Sequence, residues 1–153
     1  MDVKTAYLHG ELEEEIYVAA PEGLNVPEGH ALCLWKALYG LKQAAKQWHK
    51  KLSSVLAEFG LKQISNKPNT FFVRKVIKGE PKILIVPVYV DDLFLIGNKE
   101  LTDEFESWIV KYFDCTIIGD AILFLGIRVT RDRTPGQEAL TLDQTVFVDN
   151  FLT

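Results

Sequence analysis

The run Ile83-Leu84-Ile85-Val86-Pro87-Val88-Tyr89-Val90-Asp91-Asp92-Leu93-Phe94-Leu95-Ile96-Gly97 constrains this chain more than any other feature. Two near-continuous apolar stretches flank two adjacent carboxylates. The apolar run is shorter than the roughly 20 residues that a membrane-spanning helix needs, and the aspartates interrupt it. A buried β-hairpin with Asp91 and Asp92 at its tip is the reading that fits. Turns favour Asp for conformational reasons alone, so the pair can be a plain loop. The oddness is electrostatic: two anions beside an apolar core repel, which raises the cost of ionising both. A bound divalent cation reverses that logic. Oxygen donors with no imidazole or thiolate beside them suit Mg²⁺, which keeps waters and completes its shell from substrate phosphates. Two ions would need at least one more carboxylate, and spacing alone selects none from the 21 acids.

The remaining composition excludes several classes. A chain of 153 residues with 48% apolar and 25% charged residues has the make-up of one ordered globular domain. The net charge of -4 excludes a uniformly basic nucleic-acid coat, so any phosphate contact must come from a local patch. Cys33 and Cys115 are the only cysteines, which excludes a disulfide scaffold and fits a reducing compartment. The opening Met1-Asp2-Val3-Lys4 lacks the basic and then apolar pattern of a secretory signal. An intracellular protein with no membrane partner is expected.

Charge is sorted along the chain. Six acids (Glu11, Glu13, Glu14, Glu15, Glu22, Glu28) lie between Glu11 and His30 without a Lys or Arg. With Pro21-Glu22-Gly23 and Pro27-Glu28-Gly29 inside it, this stretch reads as a turn-rich loop. Between Lys36 and Lys51 there are five lysines and no acid. Leu41, Ala45, Trp48, Leu52, Val55, Leu56 and Phe59 fall on one helical face, with Gly60 as the stop. Lys42, Lys46, Lys50 and Lys51 then point away from that face, where they either solvate the helix or neutralise phosphates. A second amphipathic helix is predicted over 101–113. Strands are predicted at Thr70 to Val76, Ile83 to Val90, Leu93 to Ile96, Ile122 to Thr130 and Ala139 to Leu142. Thr134-Pro135-Gly136-Gln137 has the pattern of a type II turn. Helix, strands, helix and hairpin in this order make an α+β chain with no internal repeat.

Tyr89-Val90-Asp91-Asp92 between apolar strands resembles the active-site box of reverse transcriptases. The opening, Asp2-Val3-Lys4-Thr5-Ala6-Tyr7-Leu8-His9-Gly10-Glu11-Leu12, resembles the first catalytic-aspartate segment of copia-type LTR retrotransposon enzymes. Ile16-Tyr17 with Pro21-Glu22-Gly23, Leu38-Tyr39-Gly40-Leu41-Lys42-Gln43-Ala44 with Trp48, and Phe124-Leu125-Gly126-Ile127 follow in the family's order. The resemblance runs over essentially the whole chain.

It implies a polymerase palm: an antiparallel sheet with helices packed on one face (1–121), followed by a primer-grip-like hairpin and the start of a thumb (122–153). It also implies an RNA-directed DNA polymerase in which Asp2, Asp91 and Asp92, with the backbone of Val3, surround two Mg²⁺ ions. Tyr7 matches the residue under the incoming sugar, and Tyr39 and Gly40 line the nucleotide side. Lys42, Lys46, Tyr89, Phe124, Leu125 and Gly126 fall where template and primer would run. The implied partners are an RNA or DNA template with primer, deoxynucleoside triphosphates and the rest of a Pol polyprotein, within a cytoplasmic virus-like particle for an intact element. A catalytically inactive remnant or a co-opted nucleic-acid-binding domain is the alternative.

Departures accompany the match. Ala45, Lys46 and Lys67 stand where the family usually has Pro, Arg and Asp. Pro87 interrupts a strand, which is tolerable if that strand lies at the sheet edge, as the family arrangement implies. Only Met1 precedes Asp2, so a central palm strand and the fingers are expected to be missing, the isolated chain inactive, and Met1 an internal methionine of a longer reading frame.

Overall fold

A computed structural model describes residues 1–152. In chain order its elements are β1 (Asp2–Val3), a 3-10 turn (Ala6–His9), β2 (Glu11–Val18), β3 (Leu32–Lys36), α1 (Ala44–Phe59), β4 (Lys62–Ile64), β5 (Lys67–Ile77), β6 (Glu80–Tyr89), β7 (Asp92–Leu93), β8 (Ile96–Gly97), α2 (Lys99–Ile109), β9 (Cys115–Thr116), β10 (Leu123–Phe124), β11 (Ile127–Asp132), β12 (Ala139–Asp143) and α3 (Thr145–Leu152). The chain is α+β, as its element pattern predicts, and every strand pair is antiparallel. The described residues form two compact units: Asp2–Thr116, and 117–152 together with Met1.

The larger unit is built on a sheet of order β4-β5-β6-β7-β1-β9, with β8 also pairing β6. Alternation along the central strands sorts their side chains. Phe71 and Val73 of β5 face Val86 and Leu84 of β6 in register, and all four are buried. Phe72 and Ile83, on the opposite face, stay exposed. Ile83 to Val90 is therefore covered on one face only, not on both. Helix α1 covers the buried face with Trp48, Leu52, Val55, Leu56 and Phe59, and Gly60 ends it in a left-handed conformation (φ 98°). Helix α2 adds Leu101, Phe105 and Ile109, and the helices meet where the Phe59 ring lies 5.2 Å from Phe105. Each such side chain contributes about 1.5–3 kcal/mol when taken fully from water.

Several expectations shift. Helix α1 starts at Ala44, so Leu41 and Lys42 precede it in a turn, and Ala45 is exposed while Ala44 takes the buried position. Helix α2 stops at Ile109, before Tyr112 and Phe113. The acidic stretch is not all loop: Glu11–Val18 forms β2 and pairs with β3 through an irregular register, with Ile16 and Val18 half-buried and the glutamates outward. One ion pair joins it to the lysine helix, Lys50 to Glu13, so the sorted charges partly answer each other.

Pro87 is not at an edge. Strand β6 has β5 on one side and β7 and β8 on the other. The Pro87 carbonyl accepts from the Phe94 amide at 3.0 Å, and in an antiparallel pair the amide of the same residue points the same way. The missing N–H thus faces the partner strand between β7 and β8. This gap is why the predicted strand Leu93 to Ile96 is split into two short ones, both keeping one register against β6.

The smaller unit holds β10, β11, β12 and α3. The predicted strand Ile122 to Thr130 is two strands, because Leu125 (φ 50°) and Gly126 (φ 78°) form a tight hairpin turn between Phe124 and Ile127. Gln137 donates to the Thr134 carbonyl at 2.9 Å with Gly136 at φ 80°, the predicted type II pattern.

Candidate active site

Strand β1 lies between β7 and β9, so its two residues sit within the sheet. Asp2 is the direct cross-strand partner of Asp92. The Val3 amide donates to the Asp91 carbonyl at 2.8 Å, which ties the β1 segment to the turn between β6 and β7. The fold thus gathers Asp2, Val3, Asp91 and Asp92, residues far apart in sequence, onto adjoining backbone positions. Asp2 and Asp92 are half-buried and Val3 is buried.

The electrostatics of this group are those of unneutralised like charges. Burial raises the Asp92 pKa above the ordinary carboxylate value, and the charges of Asp91 and Asp2 push it further in the same direction. Among the described residues, no group of three or more carboxylates, imidazoles or thiolates is arranged to hold a metal ion. The donor set nevertheless suits a hard divalent ion, because Mg²⁺ takes one or two protein carboxylates and fills its shell with water and phosphate oxygens.

The turn that carries the aspartates is strained. Tyr89 pairs with Asp92, leaving Val90-Asp91 as a two-residue loop, and Val90 has φ 54°. Positive φ at the first loop position is usual for glycine in hairpins, whereas a β-branched residue there costs about 1–3 kcal/mol. Hydrogen bonds to both of its backbone carbonyls hold the loop: Val3 N–H to Asp91, and the Trp48 indole N–H to Val90 at 2.6 Å. The sequence marked Trp48 only as a core and motif residue. A buried indole needs an acceptor, and that is the one signal that pointed to more.

Around this group, the Tyr7 and Tyr39 rings lie 4.4 Å apart. The Tyr39 hydroxyl reaches Asp91 Oδ2 at 3.4 Å. Partial burial, the Asp91 charge and that contact all raise the Tyr39 pKa, so its hydroxyl remains a donor. Gly40 follows with φ 96° in the turn before α1. Lys42 and Lys46 are exposed and have no ion pair among the described residues, unlike Lys50. Tyr89 is exposed on the uncovered sheet face. Phe124, Leu125 and Gly126 form the β10-β11 turn of the smaller unit, with Leu125 half exposed.

Comparison with known proteins identifies the family. The family model described as reverse transcriptase (RNA-dependent DNA polymerase) matches residues 1–153. The chain is similar to the retrovirus-related Pol polyprotein from transposon TNT 1-94 of Nicotiana tabacum, with 38% identity over 99% of this chain and 11% of that protein. It is also similar to the Pol polyproteins from transposons RE2 and RE1 of Arabidopsis thaliana. RE2 is 32% identical over 94% of this chain and 10% of that protein, and RE1 is 34% identical over 64% and 6%. No solved structure matches. The chain belongs to the reverse transcriptase family, in the form carried by copia-type retrotransposons. It spans about a tenth of the length of the Pol polyproteins from TNT 1-94 and RE2.

Proposed function

We propose that this chain supplies the carboxylate centre of an RNA-directed DNA polymerase that extends a primer 3′-hydroxyl with deoxynucleoside triphosphates. The observation that carries the reading is the pairing of Asp2 with Asp92 beside Asp91, in a family of reverse transcriptases. Asp2, Asp91, Asp92 and the Val3 backbone would hold two Mg²⁺ ions, which when bound supply charge neutralisation at the attacking and leaving oxygens. The raised Asp92 pKa supports the need for a neutralising cation. Tyr7, backed by Tyr39, would pack under the sugar and disfavour a ribose 2′-hydroxyl. Tyr39 and Gly40 would border the nucleotide. Lys42 and Lys46 would meet phosphates of the template or nucleotide. Tyr89 and the Phe124-Leu125-Gly126 turn would contact primer and template.

The test is primer extension on an RNA template with Mg²⁺. It compares the 153-residue chain, the same sequence within a full Pol polyprotein, and that polyprotein carrying Asp91→Asn. Extension by the polyprotein that falls at least about 100-fold in the variant is expected, since the lost carboxylate holds charge developed only in the reaction. Equal extension with Asp91→Asn would overturn the reading. A second reading, nucleic-acid binding without catalysis, draws on the exposed Lys42 and Lys46 alone. It predicts salt-sensitive RNA binding that Asp91→Asn leaves intact, with no extension from any form.

A further inference from the structure

We infer that Trp48 is a positioning residue for the aspartate turn, acting through the hydrogen bond from its indole N–H to the Val90 carbonyl. The inference rests on reading Asp2, Asp91 and Asp92 as an ion-holding group, and it assigns the part of the fold that keeps that group in place.

Three observations converge on Trp48. First, its side chain is 2% exposed, yet its one polar atom reaches a loop carbonyl 42 positions away in sequence, at 2.6 Å. Second, that carbonyl belongs to Val90, whose positive φ a β-branched residue does not adopt unaided. A half-open pocket of about 120 Å³, lined in part by Tyr7, Trp48, Leu52, Val88 and Val90, lies alongside. Third, the indole is itself fixed from the β1 side of the site. Its ring lies 5.1 Å from Phe113, edge to face, and 5.9 Å from His9. The His9 ring contacts Phe113 at 5.0 Å, and its Nε2 lies 3.3 Å from the Lys4 carbonyl, two residues after Asp2. Helix α1, the segment after Asp2 and the turn holding Asp91 and Asp92 therefore meet at one side chain. Trp48 sets where the hairpin aspartates stand relative to Asp2, and touches no substrate itself.

Hydrogen exchange of the 153-residue chain tests this, by comparing peptides spanning 89–94 with peptides spanning 70–77. Replacing Trp48 by 3-benzothienylalanine keeps the bicyclic shape and removes the N–H, and Trp48→Phe gives a second form. In the analogue, exchange at 89–94 should quicken at least about tenfold while 70–77 changes little. Adding Val90→Gly should return 89–94 most of the way, because glycine adopts positive φ without strain. A packing role alone predicts equal acceleration of both segments and no rescue by Val90→Gly, and either result overturns the inference. Mn²⁺ titration followed by electron paramagnetic resonance reads the consequence: about tenfold weaker binding in the analogue, regained with Val90→Gly. Unchanged Mn²⁺ affinity in the analogue also overturns it. If the unsubstituted chain binds no Mn²⁺, the ion-holding reading of the aspartates fails, and exchange still decides whether Trp48 holds the turn.

Discussion

Asp2 and Asp92 stand directly opposite each other across the β1-β7 ladder, two carboxylates at a pair position where opposite charges would stabilise. The arrangement costs stability for as long as nothing neutralises it. The fold retains it by anchoring both strands through uncharged neighbours, Val3 and Leu93, each 1% exposed. Site and scaffold are thus interleaved residue by residue along β1 and β7.

That repulsion has a pH signature. Burial, Asp91 and Asp2 raise the Asp92 pKa in the folded chain, so the native state binds the proton more tightly than the unfolded state does. The associated stability is present below the ordinary carboxylate pKa and is lost as pH rises through the raised folded value. Asp92→Asn should therefore stabilise the chain at pH 7 in metal-free buffer, by under about 1 kcal/mol because the group is partly solvated. The gain should vanish in acid. Urea midpoints of both forms at pH 7 and pH 3.5 check this, and an equal difference at the two values would refute it.

The cysteines should differ in reactivity. Burial, with the neighbouring Asp114 charge, pushes the Cys115 thiol up to about 11, whereas Cys33 is exposed on β3. The thiolate is the nucleophile, and two units above the ordinary value of 9.0 leave about a hundredth of the usual thiolate at neutral pH. Alkylation by iodoacetamide at pH 7.5, read by peptide mass spectrometry, should modify Cys33 at least about tenfold faster than Cys115. Comparable rates would contradict the burial of Cys115.

Gly10 permits a close approach. A Cβ there would lie 2.9 Å from both Gln47 Cβ and the Trp48 backbone nitrogen. Gly10→Ala should cost about 1–3 kcal/mol of stability through overpacking, since α1 and the turn carrying Tyr7 must separate. Denaturant unfolding measures that cost, and a change below about 0.5 kcal/mol would show that the two elements slide apart freely.

How far these features could be read from sequence follows from the range of the interactions that produce them. The buried faces of α1 and α2 are local periodicities, so Trp48, Leu52, Phe59 and Phe105 were legible directly. The aspartate turn was legible because apolar runs bracket it. The pairing of Asp2 with Asp92 is not written in any spacing; family resemblance groups the aspartates in one site, and only the assembled sheet sets them opposite each other. Strand β2 is hidden in the sequence because its glutamates mask a period of two in a two-stranded ribbon that buries little. The place of Pro87 is not legible locally, because its tolerance depends on which neighbour its missing N–H faces, which only the assembled sheet decides. The hairpin turn at Lys78-Gly79 (φ 52° and 82°) carried a local glycine signal that the strand pattern on either side made easy to overlook.

Phe105 offers the sharpest test of the core itself. Its side chain is fully buried, 5.2 Å from the Phe59 ring and 6.0 Å from Trp108, at the junction of α1 with α2. Phe105→Ala removes apolar surface and leaves a cavity that the rigid aromatic neighbours cannot collapse into, for about 3–5 kcal/mol. Trp35 on β3 is larger but 85% exposed, and Trp35→Ala should stay within about 0.5 kcal/mol. Parallel chemical denaturation of the two variants compares them directly. A loss at Trp35 equal to that at Phe105 would mean that the β2-β3 ribbon is covered in solution and that α1 and α2 are not the principal core.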